Sequence, residues 1–196
     1  ENLDEVFDVL LNSIVFDPNQ PCNDERVILV VAIENQNVHI VKSILNKFGH
    51  SVDVNIDTND GKTPLIIACE LGEIDIVKLL LDHDSIKINK PASSDESTPF
   101  MAAAKSGNVD ILKLLMKDDE ADIFAKNKQG MSAIHYAFFS QQIEAVKFLL
   151  PLFNDKLNEK TKNGETLFQI AIKNQKIDEI DLIKKMLTWD PTQRIT

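Results

Sequence analysis

Tyrosine and tryptophan are almost missing from this chain, with one of each among 196 residues, and the aromatic content of 6 % is mostly phenylalanine. Hydrophobic residues still make up 43 %. The core material is therefore Leu, Ile and Val, which favours packed helices over a β-sandwich. Cysteine is scarce too: Cys22 and Cys69 form no short metal-type pair, and no Asn-x-Ser/Thr acceptor occurs. No signal-peptide pattern opens the sequence, and no apolar run approaches the ~18 residues of a membrane span. An intracellular, reducing compartment is expected, the cytoplasm first, and membrane insertion is not. The six glycines are spread one per turn, so no phosphate-cradling loop is present. Basic residues are outnumbered 21 to 31, for a net charge of −10. That field repels phosphate backbones and makes nucleic acid and anionic membrane poor partners. Residues 1–25 carry seven acids and no Lys or Arg. The first residue is Glu1 rather than Met, and a piece of a longer protein is expected.

A catalytic constellation is also lacking. His39, His50, His83 and His135 share no metal-ligand spacing, and Asp118-Asp119-Glu120 has no EF-hand pattern around it. Cys69 follows a core alanine and reads as a small packed side chain. No enzyme activity, metal or cofactor is expected.

What is present is a repeat. With Ala68 of Thr63-Pro64-Leu65-Ile66-Ile67-Ala68 as a ruler, counterparts fall at Ala32, Ala103, Ala137 and Ala171, in steps of 36, 35, 34 and 34 residues. Nine residues beyond each alanine stands Val41, Val77, Leu112, Val146 or Ile180, and twelve beyond stands Ile44, Leu80, Leu115, Leu149 or Ile183. Each copy reads as two short helices, over about 63–71 and 74–81 in the second copy, with apolar residues at helical spacing. Thr63 is placed to cap the first helix and Pro64 to begin it. Gly72 and Gly107 are placed to end the first helix with positive φ. The alternation Val52-Asp53-Val54-Asn55 predicts one arm of a β-hairpin, and Asp60-Gly61 its turn.

Asp60-Gly61-Lys62-Thr63-Pro64-Leu65 with Ala68, Gly72 and Ile76-Val77-Lys78-Leu79-Leu80-Leu81 resembles the ankyrin repeat. Thr98-Pro99-Phe100 with Ala103 and Gly107 repeats the match. So do Gly130 with Ala133-Ile134-His135-Tyr136-Ala137, and Asn163-Gly164-Glu165-Thr166-Leu167 with Ala171. The resemblance covers roughly residues 26–187. It implies an all-α solenoid of helix-turn-helix pairs with short projecting β-hairpins, in which neighbouring copies complete the core. The expected division is an acidic capping helix and linker over 1–25, repeats over 26–59, 60–94, 95–128 and 129–162, and a fifth repeat with a C-terminal cap over 163–196. The first copy lacks the Thr-Pro entry, and an amphipathic helix over 3–15 is expected to cover its open end. The hairpin before the third copy is one residue longer, and Glu96 stands where the turn glycine belongs. His135 is expected to be buried, with a hydrogen bond to the next hairpin.

The resemblance further implies a monomeric protein-interaction module that binds through hairpin tips and the concave face of the first helices. Its partner is expected to be a protein offering a basic or apolar segment. Carried over by position, the partner-binding residues at the tips are Asn59, Asp60, Ser94, Asp95, Lys128, Gln129, Lys162 and Asn163. Those on the helices are Ile67, Glu70, Ala102, Lys105, Tyr136 and Phe139. Tyr136 and Phe139 are the expected anchors, since a fully buried aromatic can contribute ~2 kcal/mol or more. Residues 181–196, with Met186-Leu187, Asp190-Pro191 and Arg194-Ile195, also resemble the segment near the end of protein-kinase catalytic domains, although nothing upstream resembles the rest of a kinase. The alternatives are a regulatory or targeting domain of a larger enzyme such as a kinase, a structural spacer, or a microbial effector.

Overall fold

The computed structural model describes residues 3–13, 17–21 and 25–173. Its elements are α1 (Leu3–Ser13), α2 (Ile28–Glu34), α3 (Val38–Phe48), α4 (Pro64–Leu71), α5 (Ile74–Leu81), α6 (Pro99–Ser106), α7 (Val109–Leu115), α8 (Ala133–Phe139), α9 (Ile143–Leu149) and α10 (Leu167–Lys173). The inner helices α2, α4, α6, α8 and α10 pack in succession, and so do α1, α3, α5, α7 and α9. The result is an all-α repeat solenoid.

Local chemistry sets the helix ends. The Thr63 and Thr98 hydroxyls accept from the backbone N–H groups of Ile66 and Met101, each at 3.3 Å, and Pro64 and Pro99 open their helices. Gly72 and Gly107 close α4 and α6 in the left-handed conformation. Asn37 and Asn108 cap α3 and α7 by accepting from Ile40 N at 3.0 Å and Ile111 N at 3.1 Å. The ruler positions form the core: Ala68, Ala103 and Ala137 are buried, as are Val41, Val77, Leu112 and Val146 and the aliphatics three residues further on. Small alanines let the inner helices approach closely, and the longer aliphatics reach across from the outer row. Cys69 is buried among them, and burial pushes its thiol far above the usual range.

The expected hairpin arms are not strands; no strand occurs among the described residues. The Asp53 carboxylate accepts from Asn55 N at 2.8 Å, and this turns the chain where a strand would run on. The alternation is nonetheless a true burial pattern, with Val52 and Val54 inside and Asp53 outside. The amphipathic helix at the start forms as α1 and packs on α3 through Phe7 and buried Leu11. Ile180, Ile183, Cys22, the kinase-like segment 181–196 and the rest of the fifth copy lie outside the described residues.

Candidate protein-binding strip

Each finger is a tight turn held by its own backbone. Thr58 N donates to Lys62 O at 2.9 Å, and Gly61 N to Thr58 O at 2.8 Å. The same pair of bonds closes Asn127–Met131 and Thr161–Glu165. The longer finger before the third copy closes from Ala92 N to Ser97 O at 2.8 Å. Glu96 takes the glycine's role there with φ 62°, while the Asp95 carboxylate holds Ser97 N at 2.9 Å.

Successive fingers are bonded to one another. Ser93 N donates to Gly61 O at 2.7 Å, Lys128 N to Asp95 O at 2.9 Å, and Lys162 N to Gln129 O at 2.9 Å. The fit is close enough that a β-carbon on Gly130 would lie 3.0 Å from Lys162 N. These three bonds use backbone only, and the Lys128 ammonium adds bonds to Ser93 O at 3.1 Å and Ser94 O at 2.7 Å. Asn59, Asp60, Ser94, Lys128, Gln129, Lys162 and Asn163 are exposed along one edge.

Below the tips, Glu70 sits between two ammonium groups, Lys62 at 2.6 Å and Lys105 at 2.9 Å. Burial alone would raise its pKa, but the two lysines hold it below the ordinary carboxylate range. The Tyr136 hydroxyl donates to Asp95 at 3.2 Å and accepts from the Asn127 amide at 2.9 Å, joining the fingers before the third and fourth copies to α8. Burial raises the Tyr136 phenol, and the nearby Asp95 charge adds to the rise. Tyr136 is therefore half-buried and already hydrogen-bonded. Phe139 is 39 % exposed. Ile67 and Ala102, expected on the strip, lie in the core at 8 % and 4 % exposure and offer a partner almost no surface.

His135 is buried as expected, but its Nδ1 faces the Ser132 hydroxyl at 3.0 Å and the Ser132 N–H at 3.2 Å. The bond to the next hairpin is not made: among the described residues, neither Nε2 nor the buried Thr161 hydroxyl has a hydrogen-bond partner. Burial, with the Lys126 charge adding, lowers the imidazole to about 4. Among the described residues, no group of three or more His, Cys, Asp or Glu is placed to hold a metal ion.

One set of joining residues escaped the sequence reading. The Asn55 side chain donates to Ser85 O at 2.7 Å and accepts from Lys87 N at 2.8 Å. Asn89 does the same to Glu120 O at 2.5 Å and Asp122 N at 2.9 Å. Asn19 does it to Ser51 O and Asp53 N, both at 2.7 Å. Their steps of 36 and 34 residues match the ruler and were the signal available. In the third copy Phe124 takes the place of the asparagine. It packs edge-on against Phe153 with ring centres 5.0 Å apart and lies under the Lys156 ammonium.

Helix pairs stacked in two rows, with bonded fingers along one edge, define a helical-repeat solenoid. The chain belongs to the ankyrin-repeat family, whose repeat model matches residues 1–92 and 86–160. No curated protein matches it. The family generally serves in protein–protein interaction and is typically non-catalytic.

Proposed function

We propose that this chain, as a monomer, binds a partner protein along the edge formed by its finger tips and the adjoining exposed ends of the inner helices. The observation that carries this reading is the finger-to-finger bonding. It fixes the backbone of four tips in one row while their side chains face solvent, and a preorganised surface spends little entropy on binding. Phe139 adds an apolar element beside the row, and Asn59, Asp60, Ser94, Lys105, Gln129, Lys162 and Asn163 supply polar contacts. Tyr136 and Asp95 support the row from beneath.

The row is bipolar. Exposed Glu25, Asp57 and Asp60 stand at one end, and exposed Lys126, Lys128, Lys160 and Lys162 at the other. A partner segment with a basic end would be drawn to the first two fingers, and charge would set its direction along the row. The outer helices offer a control surface. There Asp75–Lys78, Asp110–Lys113 and Glu144–Lys147 are exposed pairs at 2.8, 3.4 and 2.7 Å, each worth little to stability.

The test is affinity capture with three chains: the natural one, a strip variant (Asp60→Lys, Phe139→Ala, Lys162→Glu) and an outer-face variant (Asp75→Lys, Asp110→Lys, Glu144→Lys). A partner held by the natural and outer-face chains and lost by the strip variant supports the reading. Loss by both variants, or by neither, refutes it.

A further inference from the structure

The helix α1 only half fits the role of a cap. As a cap it should cover α3 on one side and turn a polar side outward. It does cover α3, but its other side is apolar: Val6 is 47 % exposed and Val9 68 %, with Leu10 beside them. On the ruler, Val6 lies 35 residues before Val41 and Val9 35 before Ile44. The equivalent positions are buried in every copy whose outer helix is described, and Val41 and Ile44 wholly so. Three more features match. The residue before α1 is Asn2, and asparagine also precedes and caps α3 and α7. Asn19 clamps the following finger as Asn55 and Asn89 do. The family match itself begins at residue 1, ahead of the first complete helix pair.

We infer that α1 is the outer helix of a further ankyrin unit, and that Val6 and Val9 form the seat for that unit's inner helix. The occupant is an inner-type helix with a small residue at the alanine position, linked directly ahead of α1. The established interface dictates this choice, because in each complete copy the residues equivalent to Val6 and Val9 are covered by the helix that precedes them in sequence. A second copy of the chain fits poorly. Two α1 faces meeting would bring the exposed Glu5 of each together with no basic residue on α1 to offset them, Asp8 being turned to His39 of α3 at 2.9 Å.

The test supplies the helix. A copy of Thr98–Gly107, which in the chain runs directly into Asn108, is fused ahead of Asn2, and thermal unfolding and amide exchange are followed. The expected result is a melting temperature several degrees higher and slower exchange in α1. Val6→Glu/Val9→Glu is expected to leave the unextended chain's melting unchanged and to abolish the gain in the extended one. No gain on extension, an equal gain in the double variant, or a lowered melting temperature in the unextended double variant would each overturn the inference.

Discussion

The strongest single-residue device is the asparagine clamp. A primary amide has a donor and an acceptor on one planar group, so Asn19, Asn55 and Asn89 can each satisfy a carbonyl and an N–H two residues apart in the next copy. Alanine cannot, and both backbone groups would lose their partner. Asn55→Ala is expected to cost about 0.5–1.5 kcal/mol in urea unfolding, and Asn89→Ala a similar amount. A loss below a few tenths would show that water replaces the amide. His135 acts in the opposite sense. Its folded pKa of about 4 lies below the ordinary 6.5, so the unfolded chain takes up the proton first. Stability should therefore be full above pH 6.5 and fall as the pH drops towards 4, by about 3 kcal/mol in all at about 1.4 kcal/mol per unit. Unfolding curves at pH 7 and pH 4.5 check this, with His135→Gln as the reference. The variant should lose that part of the slope. The clamps were legible in principle, because the asparagines keep the ruler's spacing. The orphaned Nε2 was not, since it depends on how far the following finger stands from the ring.

At the scale of elements, the helices were legible and the fingers only partly. Thr63, Pro64 and Gly72 act on their own neighbours within a turn, and the predicted spans over 63–71 and 74–81 match α4 and α5 to within a residue. A finger is fixed by bonds to residues some 34 positions away, as between Ser93 and Gly61, and period-2 alternation is silent on those. Helix phase was the other gap. From Pro64 to Cys69 every residue of α4 is buried, because α2, α5 and α6 surround it. No outward stripe marks which residues a partner can touch, and carrying over positions from the family puts Ile67 and Ala102 on the strip although both are buried. Gly130 holds φ 76° against the backbone of the next finger, so Gly130→Ala meets a left-handed penalty of about 1–2 kcal/mol plus the close approach to Lys162. Gly164 has the same conformation but, among the described residues, nothing within 4 Å of its β-carbon position. Gly164→Ala should therefore show the conformational cost alone, and the difference between the two variants in denaturant midpoint measures the finger-to-finger fit. Equal losses would mean that the fit adds nothing.

Across the whole molecule, stability passes from copy to copy through interfaces, since no unit buries its own apolar face. The third copy is the narrow point of that chain of interfaces. Its inner helix α6 packs α4 on one side and α8 on the other, and Ala102, Ala103 and Ala104 are all buried between them. Three consecutive alanines leave no side chain long enough to yield, so a larger residue must move a neighbouring helix. Ala103→Leu is expected to cost about 1–3 kcal/mol by overpacking, and its form matters more than its size. Val109–Leu115 would still hold α5 and α9 in the outer row, but the inner row would part at α6. The copies on either side would then unfold as separate blocks. Urea unfolding should change from one transition to two, with a lower slope for each because each exposes less surface. Hydrogen exchange should show α8 and α9 opening without α2 to α5. Ala32→Leu, in α2, makes the same change beside one complete helix pair instead of between two. It should weaken the chain without dividing it. If both variants keep a single transition, the array behaves as one block, and the alanines of α6 are a matter of fit and not of coupling.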